Sequence, residues 1–204
     1  MLTILLVFGG QPIHKRLISL LTSLAYVPRA ISNLTSLVGN NPNDAESWAE
    51  LSALYFSQGL YPQSVFCLEE VILIYPNAYN IFARLGEVTY TLAISTSAPD
   101  VAKLLEAQRY FLRSIELCEN YLRGYYGLVV VTGKLLASGT KLSSGEGNQM
   151  SREKVEKLRV MAVQQLGDIV GRARRKESGW TGYNEAEIEA SGKLIDEIQQ
   201  RETK

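Results

Sequence analysis

The chain has 204 residues, of which 46% are hydrophobic and 21% are charged, and its formal net charge is zero. This composition is ordinary for a soluble globular protein and excludes a collagen-like, disordered or purely coiled-coil chain. The balanced charge argues against a dedicated nucleic-acid-binding protein, which needs a basic surplus to neutralise phosphates. One histidine and two cysteines, with no Cys-x-x-Cys or His-Glu-x-x-His motif, predict neither a metal site nor a disulfide framework.

Residues 1–10 begin with an apolar run, Leu2–Phe8, which is much shorter than the ~20 residues that a transmembrane helix requires. The run lacks a basic n-region, and no small-residue cleavage motif follows it, so a signal peptide is the weaker interpretation. We therefore expect residues 1–10 to be the remnant of a packed helix or an altered start, and we expect no direct membrane span.

Proline spacing reveals an internal repeat. Pro28 and Pro62 are 34 positions apart, and so are Pro42 and Pro76. This period, with the pattern W-x2-L-G-x2-Y, A-x3-F and P, is typical of the tetratricopeptide repeat, in which two antiparallel helices form one unit. The residues at the signature packing positions are Trp48, Leu51, Tyr55, Gly59, Leu68, Pro76, Phe82, Leu85, Gly86, Tyr90, Ala107, Phe111, Tyr125 and Leu128.

The repeat register divides residues 11–175 into four units, near 11–44, 45–78, 79–121 and 122–175. Loops are predicted at 95–100 and 138–150, where Pro, Ser and Gly interrupt the helical pattern. Residues 176–204 are predicted to form a linker and an amphipathic helix that caps the array. The sequence thus predicts an all-α protein, a right-handed α-solenoid of stacked antiparallel helix pairs with a C-terminal capping helix.

The first helix of each unit is expected to line the concave face of this solenoid, where partner proteins bind. By register, this docking row consists of Lys15, Ser19, Glu46, Phe56, Asn80, Glu87, Arg123, Tyr126 and Lys134. Phe56 and Tyr126 are the candidate aromatic anchors, because aromatic residues dominate interface energetics. Packing between repeats is the alternative role for both rings.

One segment resembles a phosphate-binding loop. In Gly127–Lys134, however, five residues rather than four separate the glycines, and Leu135 stands where a Ser or Thr would bind magnesium. The segment also lies in repeat register, so it is predicted to be helical. We therefore predict no catalytic residue and no cofactor.

Several stretches carry a closer resemblance than the repeat signature alone. They are Asp44–Tyr55 (DAESWAELSALY), Phe66–Glu70 (FCLEE), Gly86–Leu92 (GEVTYTL) and Ala107–Leu117 (AQRYFLRSIEL), followed by Tyr126-Gly127-Leu128. On these residues the chain, from about residue 14 to about residue 135, resembles subunit 2 of the endoplasmic-reticulum membrane protein complex, a tetratricopeptide-repeat family.

The resemblance implies a non-catalytic scaffold on the cytosolic side of the endoplasmic-reticulum membrane, peripherally attached through the complex. It implies other subunits of that membrane-bound complex as partners, and a role in inserting transmembrane proteins, tail-anchored ones included. The alternative is a soluble tetratricopeptide adaptor or co-chaperone that binds a peptide tail in its concave groove. The basic segment Arg172–Lys176 is either a solvated helix end or a weak contact for acidic lipid.

Overall fold

The structure, a computed structural model, describes residues 11–138, 151–177, 179–180 and 182–202. Within these ranges it contains nine helices and no strand, which confirms the predicted all-α class. In chain order the helices are α1 (Gln11–Ser23), α2 (Val27–Asn40), α3 (Ala45–Ser57), α4 (Tyr61–Ile74), α5 (Tyr79–Ile94), α6 (Val101–Leu117), α7 (Leu122–Ala137), α8 (Arg152–Arg174) and α9 (Glu185–Glu202). The predictions for residues 1–10 and for 139–150 lie outside the described residues.

The chain divides into two compact units, Met1–Asn77 and Ala78–Lys204. The first unit contains α1 to α4, and the second contains α5 to α9. None of the described helices is both long enough and apolar enough to cross a membrane.

Local sequence signals set the helix ends. Asp44 caps the N-terminus of α3 by accepting a hydrogen bond from the Ser47 amide, and Asp100 caps α6 by accepting from two amides. Pro62 lies in the first turn of α4, where its missing N–H removes no helical hydrogen bond. Gly59, after the end of α3, has φ 73°, the left-handed conformation that glycine adopts without a Cβ clash.

The first unit has one hydrophobic core, to which all four helices contribute. Its buried side chains are Ile18, Ala30, Leu34, Leu37, Val38, Leu51, Leu54 and Cys67. At the contact between α3 and α4, the hydroxyl oxygens of Ser52 and Ser64 are 2.8 Å apart and fully buried. Small polar residues therefore sit where these two helices meet, and each satisfies the hydrogen bonding of the other.

The core of the second unit is centred on α6, whose Phe111 ring is only 2% exposed. All five helices contribute buried residues, among them Ala83, Leu104, Leu128, Val155 and Ile198. The last helix, α9, packs against α8 and α7. The C-terminal helix that was predicted as a cap is therefore part of this core.

Aromatic contacts fix the connection between α8 and α9. The Arg172 guanidinium lies 4.9 Å from the centre of the Trp180 ring, and Trp180 stacks on Tyr183 with ring centroids 6.3 Å apart. The Tyr183 hydroxyl donates a 2.8 Å hydrogen bond to the Asn120 carbonyl, in the turn that precedes α7. These contacts hold the start of α9 beside α7.

Candidate functional site

A groove of about 610 Å³ lies in the second unit, lined by residues of α5, α6, α7 and α9. Three residues of the predicted docking row, Glu87, Arg123 and Tyr126, line it. Glu87 belongs to α5, and Arg123 and Tyr126 belong to α7. The groove thus joins positions that the repeat register assigns to the first helices of two successive units.

The floor of the groove is the ring of Phe111, which two glycines allow to approach closely. A Cβ atom on Gly127 would lie 2.1 Å from Phe111 Cε1, and one on Gly86 would lie 2.9 Å from the same atom. Both glycines are helical residues, so their role here is close packing rather than an unusual backbone angle. Gly86, the glycine of the repeat signature, therefore leaves room on α5 for the Phe111 ring of α6.

The arginine that lines the groove is already engaged by carboxylate. Arg123 donates to Glu87 Oε1 from Nε at 3.1 Å and from Nη2 at 2.7 Å, while Arg84 donates to Glu87 Oε2 at 3.0 Å. Partial burial by itself lowers the pKa of Arg123, but the charge and hydrogen bonds of Glu87 outweigh burial and raise it. The guanidinium is therefore held against Glu87.

Two tyrosines form the aromatic walls. Tyr90 on α5 and Tyr126 on α7 are half-buried and line the groove. Burial raises the pKa of Tyr90, and the neighbouring Tyr126 raises it further, so the hydroxyl stays protonated at neutral pH. The register placed Tyr90 among the packing residues; it lies at the edge of the core and also reaches the groove.

In the first unit, the predicted docking row includes an ion-pair cluster. Lys15 Nζ lies 3.0 Å from Asp44 Oδ2 and 2.5 Å from Glu46 Oε2, which ties α1 to the start of α3. Partial burial by itself raises the pKa of Asp44, but hydrogen bonds from Lys15 and Ser47 outweigh burial and lower it. Lys15 is correspondingly held as a cation between two carboxylates.

The other residues of the docking row lie elsewhere. Phe56 is half-buried, and its ring packs against Tyr61 with centroids 5.5 Å apart. Ser19 and Asn80 are exposed, and Lys134 is half-buried one turn beyond the residues of α7 that line the groove. Of the nine residues in the row, the structure brings Glu87, Arg123 and Tyr126 together in the groove.

The signature packing residues lie at three depths. Those that are buried are Leu51, Leu68, Leu85, Gly86, Ala107, Phe111, Tyr125 and Leu128. Trp48, Tyr55, Phe82 and Tyr90 are half-buried, and Gly59 and Pro76 are exposed. Both exposed residues lie just beyond a helix end, where they stop the helix rather than fill the core.

Sequence reasoning missed the third wall of the groove, which α9 supplies through Glu187, Ala190 and Ser191. Ser191 is fully buried, and a Cβ atom on Gly192 would lie 2.1 Å from Arg174 Nη2. The signal that was available is the run of small residues at 190–192 within an amphipathic helix, since small side chains permit close approach. That run indicates that the predicted capping helix packs closely against its neighbours.

A second groove, of about 400 Å³, lies in the first unit and is lined by Trp48, Tyr55, Phe66 and Cys67 among others. Trp48 Nε1 donates a 2.8 Å hydrogen bond to the Pro42 carbonyl, and its ring meets Phe66 edge-on with centroids 6.0 Å apart. Burial raises the pKa of the Cys67 thiol to about 12. This thiol is therefore protonated at neutral pH and acts as a small apolar side chain.

The segment Gly127–Lys134 that resembles a phosphate loop lies inside α7, as predicted. Its backbone amides are therefore used within the helix. Among the described residues, no group of three or more His, Cys, Asp and Glu side chains is placed to hold a metal ion.

No family model matches the chain. The chain is 34% identical over 124 residues to TPR repeat protein oca3 of Schizosaccharomyces pombe, a match that covers 61% of this chain and 43% of that protein. It is 33% identical over 126 residues to ER membrane protein complex subunit 2 of Saccharomyces cerevisiae, covering 60% and 43%, and 28% identical over 131 residues to the Xenopus tropicalis protein of the same name, covering 64% and 42%. The chain thus spans less than half the length of these relatives.

Solved structures share the fold at low sequence identity. A crystal structure of MamA superposes with a TM-score of 0.52 and 16% identity over 93% of both chains. The MamA RS-1 ArsTM double mutant gives 0.53 and 15% identity over 92% of this chain and 95% of its own. The chain therefore has the tetratricopeptide-repeat fold that its 34-residue period predicts, and its sequence is similar to relatives named ER membrane protein complex subunit 2.

Proposed function

We propose that the chain is a non-catalytic scaffold that docks partner proteins within a membrane-bound complex. The support is its similarity to relatives named ER membrane protein complex subunit 2, together with its tetratricopeptide-repeat fold. On this proposal the chain is attached peripherally to the cytosolic side of the endoplasmic-reticulum membrane through other subunits. Its role there is to support the insertion of transmembrane proteins, tail-anchored ones included.

The observation that carries the proposal is the groove of the second unit. It has an apolar floor, two aromatic walls and few charged groups, which is the usual chemistry of a binding site. The half-buried ring of Tyr126 offers a partner an aromatic surface to cover, and such aromatic residues supply much of the binding energy at interfaces.

A soluble adaptor or co-chaperone that captures a peptide tail is the second candidate. Capture of a terminal carboxylate needs cations that converge on it. Arg123 is paired with Glu87, and Lys15 is paired with Asp44 and Glu46, so these two cations of the docking row are already neutralised. This pairing favours the scaffold over the carboxylate-binding adaptor.

Contact with acidic lipid through Arg172–Lys176 would add a weak attachment to the membrane. Within that segment, Arg172 lies over the Trp180 ring and Arg175 pairs with Glu177 at 2.7 Å. Two of its cations are thus engaged inside the protein, so the proposed attachment rests on protein partners rather than on lipid.

Affinity purification of the tagged full chain from detergent-solubilised endoplasmic-reticulum membranes tests the proposal, with mass spectrometry of the recovered proteins. We expect subunits of the complex to co-purify, and Tyr126→Ala to lower their recovery, because an interface aromatic contributes about 2 kcal/mol, roughly thirtyfold in affinity. The matched control is Tyr75→Ala, whose side chain is 59% exposed at the end of α4. Far-ultraviolet circular dichroism and melting temperature must stay unchanged in both variants.

Two results would contradict this. If the unmodified chain recovers no subunit of the complex, the scaffold proposal fails. If Tyr126→Ala recovers partners as well as Tyr75→Ala does, docking takes place outside the groove. The peripheral attachment is tested separately, since carbonate washing is expected to release the chain from membranes and retention in the pellet would contradict it.

A further inference from the structure

One carboxylate in the groove of the second unit forms no ion pair with any other described residue. Glu87 is engaged by Arg123 and by Arg84. Glu187, on the opposite wall, is half-buried and lines the same groove, yet its carboxylate makes no hydrogen bond or ion pair with any other described residue. Arg123 is near enough to feel the charge of Glu187 but directs its donors to Glu87.

The surroundings of Glu187 are those that bind a cationic side chain. Tyr90 and Tyr126 present half-buried rings to the same cavity, and aromatic faces attract ammonium and guanidinium groups. Phe111, Val130 and Ala190 supply the apolar surface next to them. An unpaired carboxylate, two tyrosine rings and an apolar floor therefore meet within one groove of about 610 Å³.

We propose that this groove binds a partner segment in which a Lys or Arg side chain lies beside a bulky apolar side chain. The apolar side chain packs on Val130 and Ala190, and the cation lies between the tyrosine rings and pairs with Glu187. This inference rests on the proposed scaffold function and specifies the chemistry of the partner segment that docks. It also gives α9 a role in recognition, because Glu187 belongs to that helix.

The same geometry excludes an acidic segment. The arginine that lines the groove donates two hydrogen bonds to Glu87 Oε1, so an incoming carboxylate would have to break both bonds and would then face Glu187. Like charges brought together in a partly desolvated site oppose binding, and rejection of this kind contributes to specificity.

Three fluorescein-labelled hexapeptides test the inference. They are identical except at one position between two leucines, which holds lysine, norleucine or glutamate, and all have an amidated C-terminus so that no terminal carboxylate is present. Fluorescence anisotropy with the full chain at low salt gives the affinities. We expect the lysine peptide to bind about tenfold more tightly than the norleucine peptide, and the glutamate peptide to bind most weakly. Equal affinities, tightest binding of the glutamate peptide, or no binding of any peptide would overturn the inference.

The variant Glu187→Gln keeps the shape of the side chain and removes its charge. We expect it to abolish the preference for lysine over norleucine while leaving binding of the norleucine peptide unchanged. The matched control is Glu189→Gln on the same helix, since Glu189 is exposed and pairs with Lys193 outside the groove. A preference that survives Glu187→Gln, or that Glu189→Gln removes equally, would show that Glu187 is not the recognition group.

The two proposals fail in different ways. If subunits of the complex co-purify with the chain but the lysine preference is absent, the chemistry assigned to the groove is wrong and the scaffold function stands. If the lysine preference depends on Glu187 but no subunit co-purifies, the groove binds as described and the scaffold function is wrong.

Discussion

Substitution of Gly127 by alanine tests the packing that forms the groove. The new methyl group would lie 2.1 to 2.6 Å from three atoms of the Phe111 ring. Gly86 faces the same ring closely enough that a Cβ atom there would lie 2.9 Å from it, so the ring has little room to move away from Gly127. Overpacking of this kind typically lowers the free energy of unfolding by about 1–3 kcal/mol, whereas the better helix propensity of alanine raises it by about 1 kcal/mol. Because the overlap involves three ring atoms, we expect a net loss of about 2 kcal/mol, or a melting temperature lowered by roughly 4–8 °C.

Urea unfolding followed by far-ultraviolet circular dichroism measures this loss. Gly167→Ala is the matched control, because Gly167 is also a helical residue but a Cβ there would meet no atom within 4 Å. We expect the control to gain up to about 1 kcal/mol. Phe111→Leu should relieve the clash, so the double variant is expected to lose less than the sum of the single losses. Additive losses, or a Gly127→Ala protein as stable as the unmodified one, would refute the packing argument.

Two further predictions concern titratable groups. Burial raises the pKa of Cys67 to about 12, so only about one Cys67 thiol in ten thousand is ionised at pH 8. In the Cys118→Ser variant, where Cys67 is the remaining cysteine, we expect a thiol reagent to label Cys67 no faster than the first unit unfolds. Rapid labelling would contradict this. The pKa of Asp44 is lower in the folded chain than in the unfolded chain, so ionised Asp44 stabilises the fold. This stabilisation is fully present above the pKa of Asp44 in the unfolded chain, about 4, and is lost as the pH falls through its pKa in the folded chain. Asp44→Asn retains a capping side chain and should therefore lose less stability than the unmodified chain between pH 7 and about pH 3; an equal loss in urea titrations would show that Asp44 is not responsible.

The helix boundaries could be predicted because their causes are local. Asp44 caps a helix through an amide three residues away, Pro62 fits only the first turn, and Gly59 adopts a positive φ. Such signals act over a few residues and are visible in the sequence. The 34-residue period then indicates which helices pair, because residues at equivalent positions occupy equivalent environments.

The position of α9 could not be predicted in this way, because its causes are contacts between residues distant in sequence. The hydrogen bond from Tyr183 to the Asn120 carbonyl spans 63 positions, and the stacking of Arg172 on Trp180 depends on how the connection turns. Neither contact follows from a repeat, since α9 lies outside the repeat register. The sequence therefore identified an amphipathic helix but did not indicate that Glu187 lines the groove.

The ion pairs of the docking row could be predicted in part, because each of them joins residues that are about one repeat period apart in the sequence. Arg123 and Glu87 are 36 positions apart, and Lys15 and Glu46 are 31 apart, so each pair joins equivalent regions of two successive first helices. Opposite charges near one repeat period apart therefore predict pairing between neighbouring helices, and they argue against treating each charge as available to a ligand. Glu187 belongs to α9, which lies outside the repeat register, so this spacing does not predict a partner for it, and its carboxylate forms no ion pair among the described residues. The proposed selectivity of the groove for a cation follows because Arg123 is already paired with Glu87, whereas Glu187 on α9 is not paired with any described residue.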